Sequence, residues 1–553
     1  MFKNKIYLVV YLQIVLVLVL ASCGGKDKEK DPRTVFKYNE AMGGISSLDP
    51  AASSNFENIW AVNQLFNGLV QMDDSLKVLP CIAKSWEISE DGLVYTFHLR
   101  NDVFFHNCDV FPNSKGRKVV AKDFVYSFNR LYDTKVSSAS TLLYNVDKQN
   151  KNTNNGFVAV NDTTFVIYLK EPFSPFLGIL TMKYFSVVPQ EAVDHYKEEF
   201  RRNAVGTGPF KLKFWEEGTS LVMHKNDNYF EFEGANRLPY LDAVAVSFIK
   251  EKETAFMQFL SGEIDMLSGI DAFNPSEVLD ADGKLKPLYK GKFSLETQPY
   301  IKTDYIGILI DENINIVKSS PLKQKAIRKA INYAFDREKL IKFFHNNLGV
   351  PATSGFIPAG LPSYSQTKVK GYHYNPEKVN QLLEEAGYPG GKGLPEITLH
   401  TTENYIEIVE FIQGQLSENH ITMKISIENA TVLKTNVAKN EFNMFKKSWV
   451  GDYADEENFM SLFYSKNFSP EGSNYTHYKN PDFDKLFERA RRENNDSIKT
   501  ALYQQMDQMV MDDAPVIPLY YDQVVRLVKP NIKNLTANPI NLLNLKAVKK
   551  VNE

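Results

Sequence analysis

The 553-residue sequence predicts an α/β protein, because segments with strand and helix periodicity alternate along the chain and none repeats at a fixed period. Val94 to Arg100 alternates apolar and polar residues, which predicts a half-buried strand. After Ser320-Pro321, apolar residues recur every three or four positions, which predicts a helix with an N-cap and a proline in its first turn. The length is sufficient for about three or four domains of ordinary size.

Three further elements follow the same rules. The segment 244–248 alternates large apolar residues with small or polar ones, which predicts a second strand. Asn375-Pro376 and Asn480-Pro481 each place an N-cap before a proline, and an apolar face follows each of them, so both predict helices. Gly387 predicts the end of the first of these two helices.

The charge balance and the motif content exclude several classes of function. The 64 basic and 67 acidic residues nearly cancel, so the composition does not favour nucleic-acid binding. None of the common nucleophile, phosphate-loop or zinc motifs occurs in the sequence. His98 and His106 lie close to Cys108, but no further residue completes a metal site, and both are interpreted as packing or surface histidines. We therefore predict a protein that is not an enzyme and that has no metal or cofactor.

The N-terminus has the pattern of a signal peptide. Two lysines precede the apolar run Ile6 to Leu20, which is shorter than the ~20 residues of a membrane-spanning helix. Leu20-Ala21-Ser22-Cys23 resembles the bacterial lipobox, in which cleavage occurs before a cysteine that carries lipid. The resemblance implies a signal peptide over 1–22 and a lipid on Cys23 that anchors the protein at the extracytoplasmic face of a membrane. The alternative is a secretory signal that contains a cysteine by chance.

The residues that follow Cys23 are two glycines and then mostly charged side chains, as far as Arg33. This composition predicts a flexible tether over 23–33 that separates the folded body from the membrane. Whether the inner or the outer membrane carries the anchor is left open by the sequence.

Cys81 and Cys108 remain once Cys23 carries lipid. In an oxidising compartment such a pair can form a disulfide, which would stabilise the fold by closing a loop. The alternative is two separate buried thiols, and the sequence leaves both open because it does not show the distance between the two Cα atoms.

A series of short phrases occurs in a fixed order along most of the chain. The phrases are Leu48-Asp49-Pro50, Phe66-Asn67-Gly68-Leu69-Val70, Ala83-Lys84-Ser85-Trp86-Glu87, Tyr95-Thr96-Phe97-His98-Leu99-Arg100, Ala121-Lys122-Asp123-Phe124-Val125-Tyr126-Ser127, Gly206-Thr207-Gly208-Pro209-Phe210, Gly262-Glu263-Ile264-Asp265, Ala330-Ile331-Asn332-Tyr333-Ala334, Trp449-Val450-Gly451-Asp452-Tyr453 and Pro515-Val516-Ile517-Pro518-Leu519-Tyr520. In this order they resemble the family 5 extracytoplasmic solute-binding proteins, the dipeptide and oligopeptide receptors of bacterial ABC importers.

The resemblance implies the two-lobed periplasmic-binding-protein fold of peptide receptors, with an additional inserted α/β domain. The first lobe is expected to be discontinuous, and the inserted domain lies between its first two parts. The expected boundaries are 34–66, 205–282 and 515–548 for the first lobe, 67–204 for the inserted domain and 283–514 for the second lobe.

The function implied by the resemblance is the capture of short peptides in a cleft between the lobes and their delivery to an ABC importer. The protein is expected to act as a monomer without nucleic acid. Two alternatives remain open. The same fold could bind a non-peptide solute such as a nickel complex, haem or an oligosaccharide, or the chain could be a surface lipoprotein receptor or chaperone outside transport.

In this family an Asp soon after the Trp binds the peptide amino group, and the matching residue is Asp452. Trp449 is expected to line the pocket, Gly451 to expose backbone and Tyr453 to face the cleft. The residues themselves agree, since 442–449 has the pattern of a strand and Asp452 follows its end, where ligands of α/β sheets collect. The alternative is that Asp452 caps a turn and that Trp449 belongs to the core.

Other parts of the expected cleft are less defined. Lys446 occupies the place where oligopeptide-binding relatives carry an arginine, so it is a possible partner of the peptide carboxylate, or else a solvated surface lysine. The segment from Ser54 to Glu57 would contact the ligand backbone in relatives. The segment 107–119 is longer than the usual turn of the family, and the sequence assigns it no function.

Overall fold

The computed structural model describes residues 34–40, 44–150 and 155–551. The predicted signal peptide, the lipidation site Cys23 and the tether lie outside the described residues. Within the described ranges, no helix combines the length and the apolar character that crossing a membrane requires.

Strands and helices alternate along the described chain, as the sequence predicts. The strands are β1 (Val35–Asn39), β2 (Val70–Met72), β3 (Val78–Pro80), β4 (Ala83–Ile88), β5 (Val94–Leu99), β6 (Phe157–Asn161), β7 (Thr164–Tyr168), β8 (Phe210–Glu216), β9 (Ser220–Lys225), β10 (Phe232–Glu233), β11 (Asn236–Arg237), β12 (Ala243–Ser247), β13 (Met266–Ser268), β14 (Ser294–Ile308), β15 (Val350–Pro351), β16 (Ile397–Thr401), β17 (Met423–Ile427), β18 (Met444–Val450), β19 (Val516–Val528), β20 (Ile532–Lys533) and β21 (Lys549–Lys550). The α-helices are α1 (Phe56–Leu65), α2 (Ala121–Arg130), α3 (Phe176–Ile179), α4 (Gln190–Tyr196), α5 (Lys252–Ser261), α6 (Pro275–Val278), α7 (Asn315–Lys318), α8 (Lys325–Tyr333), α9 (Arg337–Phe344), α10 (Pro376–Glu385), α11 (Ile406–Glu418), α12 (Ala430–Ala438), α13 (Glu457–Met460), α14 (Pro481–Ala490) and α15 (Asp496–Asp513).

One large sheet extends through most of the molecule. Its strand order is β17-β16-β18-β14-β19-β13-β1-β12-β9-β8, and β15 pairs with β19 beside this path. We call the part with β13, β1, β12, β9 and β8 the β1 side, and the part with β17, β16 and β18 the β18 side. The long strands β14 and β19 connect the two sides, and their register shifts between Pro299 and Thr303. A smaller antiparallel sheet has the order β4-β5-β7-β6.

Separate apolar clusters cover the two sides of the large sheet. The largest cluster joins the β1 side to the smaller sheet and includes Phe36, Phe97 and Phe165. On the β18 side, Ile306 belongs to one cluster and Tyr305 to another, because successive side chains of β14 point to opposite faces. Apolar burial therefore stabilises β14 from both faces and fixes the strand beside the candidate site.

Most of the elements singled out in the sequence agree with the structure. The predicted strands 94–100 and 244–248 are β5 and β12. Helices α10 and α14 begin with their prolines, and the side chains of Asn375 and Asn480 accept hydrogen bonds from the first-turn amides. Gly387 follows α10 with φ of 88°, a left-handed backbone conformation that favours glycine.

The helix predicted after Ser320-Pro321 begins later than expected. Ser320 does cap a turn, but Pro321–Lys323 forms only a short 3-10 helix. The α-helix α8 starts at Lys325, because Gln324 has an extended backbone with ψ of 122° and interrupts the helical hydrogen bonds.

Cys81 and Cys108 are separate thiols in the structure, so the possible disulfide is not formed. Cys81 is buried, and burial raises the pKa of its thiol to about 12. Cys108 lies in different surroundings, with its Sγ 3.5 Å from the Tyr196 hydroxyl. A thiol with its pKa raised by burial has little thiolate at neutral pH, so Cys81 is poorly suited to exchange.

His106 packs against the turn that contains Gly206 and Gly208. The amide of Gly206 donates to His106 Nδ1 at 3.3 Å, and His106 Nε2 lies 3.0 Å from the Gly208 carbonyl oxygen. Burial lowers the pKa of His106 to about 4, so the ring is neutral at pH 7 and holds this turn by hydrogen bonds.

The long segment 107–119 is fixed to its neighbours by one arginine. Arg117 forms two hydrogen bonds to Asp123 on α2, at 2.9 and 2.7 Å, and two to Glu191 on α4, at 2.6 and 2.8 Å. Such paired guanidinium–carboxylate contacts are geometrically specific. They give this segment a role in holding two helices together.

Candidate functional site

Asp452 lies just beyond the end of β18. Its side chain is exposed to solvent, yet burial raises the pKa of its carboxyl group. A carboxylate that is accessible to water and also desolvated by surrounding protein must lie in a recess. A hydrogen bond to Asn458 acts in the opposite direction and lowers the pKa. Among the described residues, no charged group contributes to the shift. Asp452 thus offers an unpaired negative charge inside a recess.

The charge of Asp452 acts on a distant segment of the chain. Burial, and then the nearby charge of Asp452, raise the pKa of Tyr184, whereas a hydrogen bond to Ser138 lowers it. Tyr184 belongs to the short 3-10 helix Lys183–Phe185, and its hydroxyl lies 3.5 Å from Ser138 Oγ. Asp452 on the β18 side is therefore within electrostatic range of the region that packs beside the smaller sheet.

Asn458 holds the loop that carries Asp452. Its Oδ1 accepts hydrogen bonds from Trp449 Nε1 at 2.9 Å and from the Asp452 amide at 3.2 Å. Asn458 is itself buried on α13. The indole of Trp449 is partly buried and packs against the adjoining apolar cluster, and its pocket-lining role stays a prediction.

Gly451 brings the loop close to β14. Its amide donates to the Ile301 carbonyl oxygen at 2.9 Å. A Cβ at this position would lie 2.8 Å from Ile301 Cδ1 and 3.1 Å from a Phe459 ring carbon. The glycine at this point therefore has a steric reason, which is the close approach of the loop to its neighbours, and the exposure of its backbone to a ligand stays a prediction.

We expect Asn458→Ala to destabilise the protein by about 1–3 kcal/mol, because the Trp449 indole and the Asp452 amide both lose their acceptor. The measurement is the urea unfolding midpoint. Asn458→Asp keeps an acceptor oxygen and is the matched control, so its loss should be smaller. An alanine variant with an unchanged midpoint would show that the two hydrogen bonds contribute nothing to stability.

Tyr453 is buried and does not line the recess as predicted. Its hydroxyl donates a hydrogen bond to Glu457 on α13. Burial raises the pKa of Glu457 to about 7, and this hydrogen bond opposes the increase. Tyr453 therefore supports the Asp452 loop from the inside.

Lys446 is neither a free partner for a ligand carboxylate nor a solvated surface lysine. Its Nζ lies 2.6 Å from Asp304 Oδ1, and both side chains have 0% exposure. Lys302 lies 3.3 Å from the other oxygen of Asp304 and 2.7 Å from Asp522. The reason is the position of β18, which pairs with β14 inside the large sheet and directs Lys446 onto a covered face. The sequence could not show this, because Asp304 lies far away along the chain.

The segment from Ser54 to Glu57, predicted to contact a ligand backbone, lies at the start of α1. Ser54, Asn55 and Phe56 are exposed, and the Phe56 ring centroid lies 6.2 Å from that of Tyr300. Tyr300 directly precedes Ile301, which binds the Gly451 amide. The start of α1 and the Asp452 loop therefore flank the same stretch of β14.

The region beside the smaller sheet and the helices of the β18 side also touch each other directly. The Ser174 amide donates to the Arg491 carbonyl oxygen at 2.8 Å, and Arg492 lies 3.1 Å from Glu171. Arg491 also lies 3.4 Å from Glu457, which bonds Tyr453. These contacts border a cavity of about 450 Å³. The sequence contained no motif that would have identified Arg491 or Asn458 as residues of the site.

Comparison with known proteins agrees with this fold. The family described as "Bacterial extracellular solute-binding proteins, family 5 Middle" matches residues 77–471. The chain is 27% identical to the dipeptide-binding protein DppE of Bacillus subtilis over 553 residues, which cover 95% of this chain and 93% of the relative. It is 28% identical to the periplasmic oligopeptide-binding protein OppA of Salmonella typhimurium over 538 residues, covering 93% and 92%.

Solved structures show the same architecture. The periplasmic binding protein DppA from Helicobacter pylori, in complex with the peptide STSA, matches with a TM-score of 0.74 and 26% identity, covering 94% of this chain and 99% of that chain. HbpA2 from Haemophilus parasuis matches in fold with a TM-score of 0.80 at 22% identity, covering 94% and 100%. The predicted α/β periplasmic-binding-protein fold is confirmed.

The fold and the family match define an extracytoplasmic solute-binding protein of the kind that serves ABC importers. The chain belongs to family 5 of the bacterial extracellular solute-binding proteins. The relatives named above are binding proteins and not enzymes.

Proposed function

We propose that this chain captures short peptides in the recess beside Asp452 and delivers them to an ABC importer. The observation that carries the proposal is the desolvated carboxylate of Asp452, on which no opposite charge acts within the described part of the chain. A peptide α-ammonium supplies the missing positive charge, and it gains a partner that compensates for its own desolvation. The dipeptide-binding relative DppE, the oligopeptide-binding relative OppA and the peptide in the Helicobacter structure support the same class of ligand.

Recognition of many peptides needs features that all peptides share. Backbone amides and carbonyls beside the recess can pair with an extended ligand, while the side chains of that ligand occupy hydrated space. β14 and β19 lie where the two proposed lobes meet, so bending of these strands would open and close the recess. The proposed boundaries of the lobes and of the inserted domain are those expected from the sequence, and a monomer suffices for this mechanism.

The proposal includes a lipid on Cys23, which would hold the receptor on the cell envelope through a flexible tether. The test is growth of the producing cells with radiolabelled palmitate and partition of the protein into detergent. Cys23→Ser should lose the label and stay in the aqueous phase. A labelled serine variant, or an unlabelled wild-type protein, would contradict the anchor.

The peptide proposal is tested on the protein without its signal peptide and lipid. Native mass spectrometry of the purified chain should show co-purified peptides, and calorimetry after their removal should show saturable binding of Ala-Ala-Ala with one site per chain. N-acetyl-Ala-Ala-Ala is the matched control, because it lacks the positive charge that Asp452 is proposed to bind. Co-purification of a nickel complex, haem or a sugar, with no binding of di- to pentapeptides, would overturn the proposal.

A further inference from the structure

Two acidic side chains meet at the carboxyl end of β1. Tyr38 and Glu40 point to the same face, because alternate residues of a strand share a side. Helix α1 packs on this face, and the Trp60 ring centroid lies 6.0 Å from that of Tyr38 in an edge-to-face contact. Glu57 lies one turn before Trp60 on the same face of the helix, which places it towards Glu40.

Glu40 has no compensating charge among the described residues. Its Oε2 is buried and accepts no hydrogen bond from any of them. Burial, and then the charge of Glu57, raise the pKa of Glu40 to about 8, and no basic group contributes to this shift. Arg526 lies over the Trp60 ring at 5.6 Å, but its guanidinium donates to backbone carbonyl groups and an asparagine of the C-terminal segment.

The hydroxyl group of Tyr38 is a second buried polar group without a hydrogen-bond partner among the described residues. Tyr38 has 1% exposure, and its hydroxyl finds no hydrogen-bond partner in the described part of the chain. The phenol is close to the Glu40 carboxylate, because Glu40 adds to the increase that burial causes in the Tyr38 pKa. Buried polar atoms normally have a hydrogen-bond partner. The unpaired Glu40 Oε2 and Tyr38 hydroxyl therefore indicate that a hydrogen-bond donor is missing beside the two glutamates.

Glu40 and Glu57 lie at the edge of the large sheet where a ligand is expected to bind. β1 runs parallel to β12 and β13, and ligands of such sheets collect beyond the carboxyl ends of parallel strands. Phe56, next to Glu57, contacts Tyr300 on β14, and the following residue Ile301 binds the Asp452 loop. The pair therefore belongs to the β1 side of the same ligand space.

We propose that Glu40 and Glu57 bind a second positively charged group of the ligand, so that the preferred peptides carry a lysine or arginine side chain. This inference rests on the proposed peptide-binding function. An ammonium group has three donors and can serve Glu40 while it offsets the repulsion between the two carboxylates. In this arrangement the charge of Glu57 on α1 acts on Glu40, and the charge of Glu40 acts on Tyr38 of β1.

The test is calorimetry with Lys-Ala-Ala, Ala-Lys-Ala and Ala-Ala-Lys, each compared with the peptide in which norleucine replaces lysine. Norleucine keeps the aliphatic chain and lacks the charge. We expect at least one lysine peptide to bind at least about tenfold more tightly than its norleucine counterpart. Glu57→Gln and Glu40→Gln should each reduce this ratio towards one and leave the affinity for the norleucine peptide nearly unchanged.

Binding should also release a proton. Glu40 is mostly protonated in the empty protein at pH 7, and a bound cation favours its ionised form. Calorimetry in phosphate and in Tris should therefore show about one more proton released to buffer by the lysine peptide than by the norleucine peptide. Glu40→Gln should abolish this difference, whereas the surface variant Glu90→Gln should keep it.

The outcomes separate the inference from the function on which it rests. If lysine and norleucine peptides bind equally well and release equal numbers of protons, the acidic pair does not select a cation and the inference is wrong. If none of the six peptides binds, the proposed peptide function fails and the inference falls with it. Should Glu40→Gln not fold, the partly exposed Glu57 still provides the affinity test through Glu57→Gln.

Discussion

Replacing Asp452 by asparagine is expected to weaken the binding of Ala-Ala-Ala by about 30-fold to a few thousandfold, which corresponds to about 2–5 kcal/mol. The physical reason is that the peptide ammonium would stay desolvated in the recess without an opposite charge. Asn458 would still hold the loop through the backbone amide of residue 452 and the Trp449 indole, so the fold of the site should persist. Calorimetry gives the dissociation constant directly.

The specific control for this prediction is the N-acetylated peptide. It should bind wild-type protein and Asp452→Asn with similarly low affinity, because it has no ammonium to lose. Asp482→Asn, at a surface aspartate with 78% side-chain exposure, should bind Ala-Ala-Ala as wild type does. Wild-type affinity in Asp452→Asn would show that another group binds the peptide amine.

Replacing Lys446 by methionine should cause a large loss of stability, about 3–5 kcal/mol, because Asp304 would lose a fully buried partner. Lys302 remains 3.3 Å from Asp304 and limits the loss. Urea denaturation measures the free energy of unfolding. The matched control is Lys446→Met combined with Asp304→Leu, which removes both charges and should recover much of the lost stability. A single variant as stable as wild type would contradict the importance of this pair.

The same pair predicts how stability depends on pH. Burial would raise the pKa of Asp304, but Lys446 and Lys302 outweigh it, so the pKa lies below the usual value. The folded state therefore holds this proton less tightly than the unfolded chain. The stabilisation is complete above the unfolded pKa of about 4 and is lost as the pH falls through the lower folded pKa. In Lys446→Met this dependence on acid should be weaker.

Local features of the structure followed from the sequence because short segments decide them. Asn375 and Asn480 precede prolines and do cap helices, and the alternation in 94–100 does give β5. The late start of α8 was not predictable in this way. The extended backbone of Gln324 is not visible in the apolar periodicity, which continues across it.

The site was predicted in part. The sequence around Asp452 was enough to place a carboxylate at the end of β18. Gly451 packs closely against Ile301 and Phe459, which is a common reason for a glycine in a loop. The same reasoning failed for Lys446 and Tyr453, both of which are buried. Side-chain burial depends on which distant strands and helices pack nearby, and a single segment does not contain that information.

By itself, the sequence determined the α/β class, the family resemblance and the position of Asp452, since periodicity, capping residues and ordered phrases are local properties of the chain. The tertiary structure alone decided that Lys446 pairs with Asp304, that the charge of Asp452 acts on Tyr184 and that the charge of Glu57 acts on Glu40. The physical reason is that electrostatic and packing energies depend on distance in space. Strand pairing and helix docking bring together groups that lie far apart along the chain.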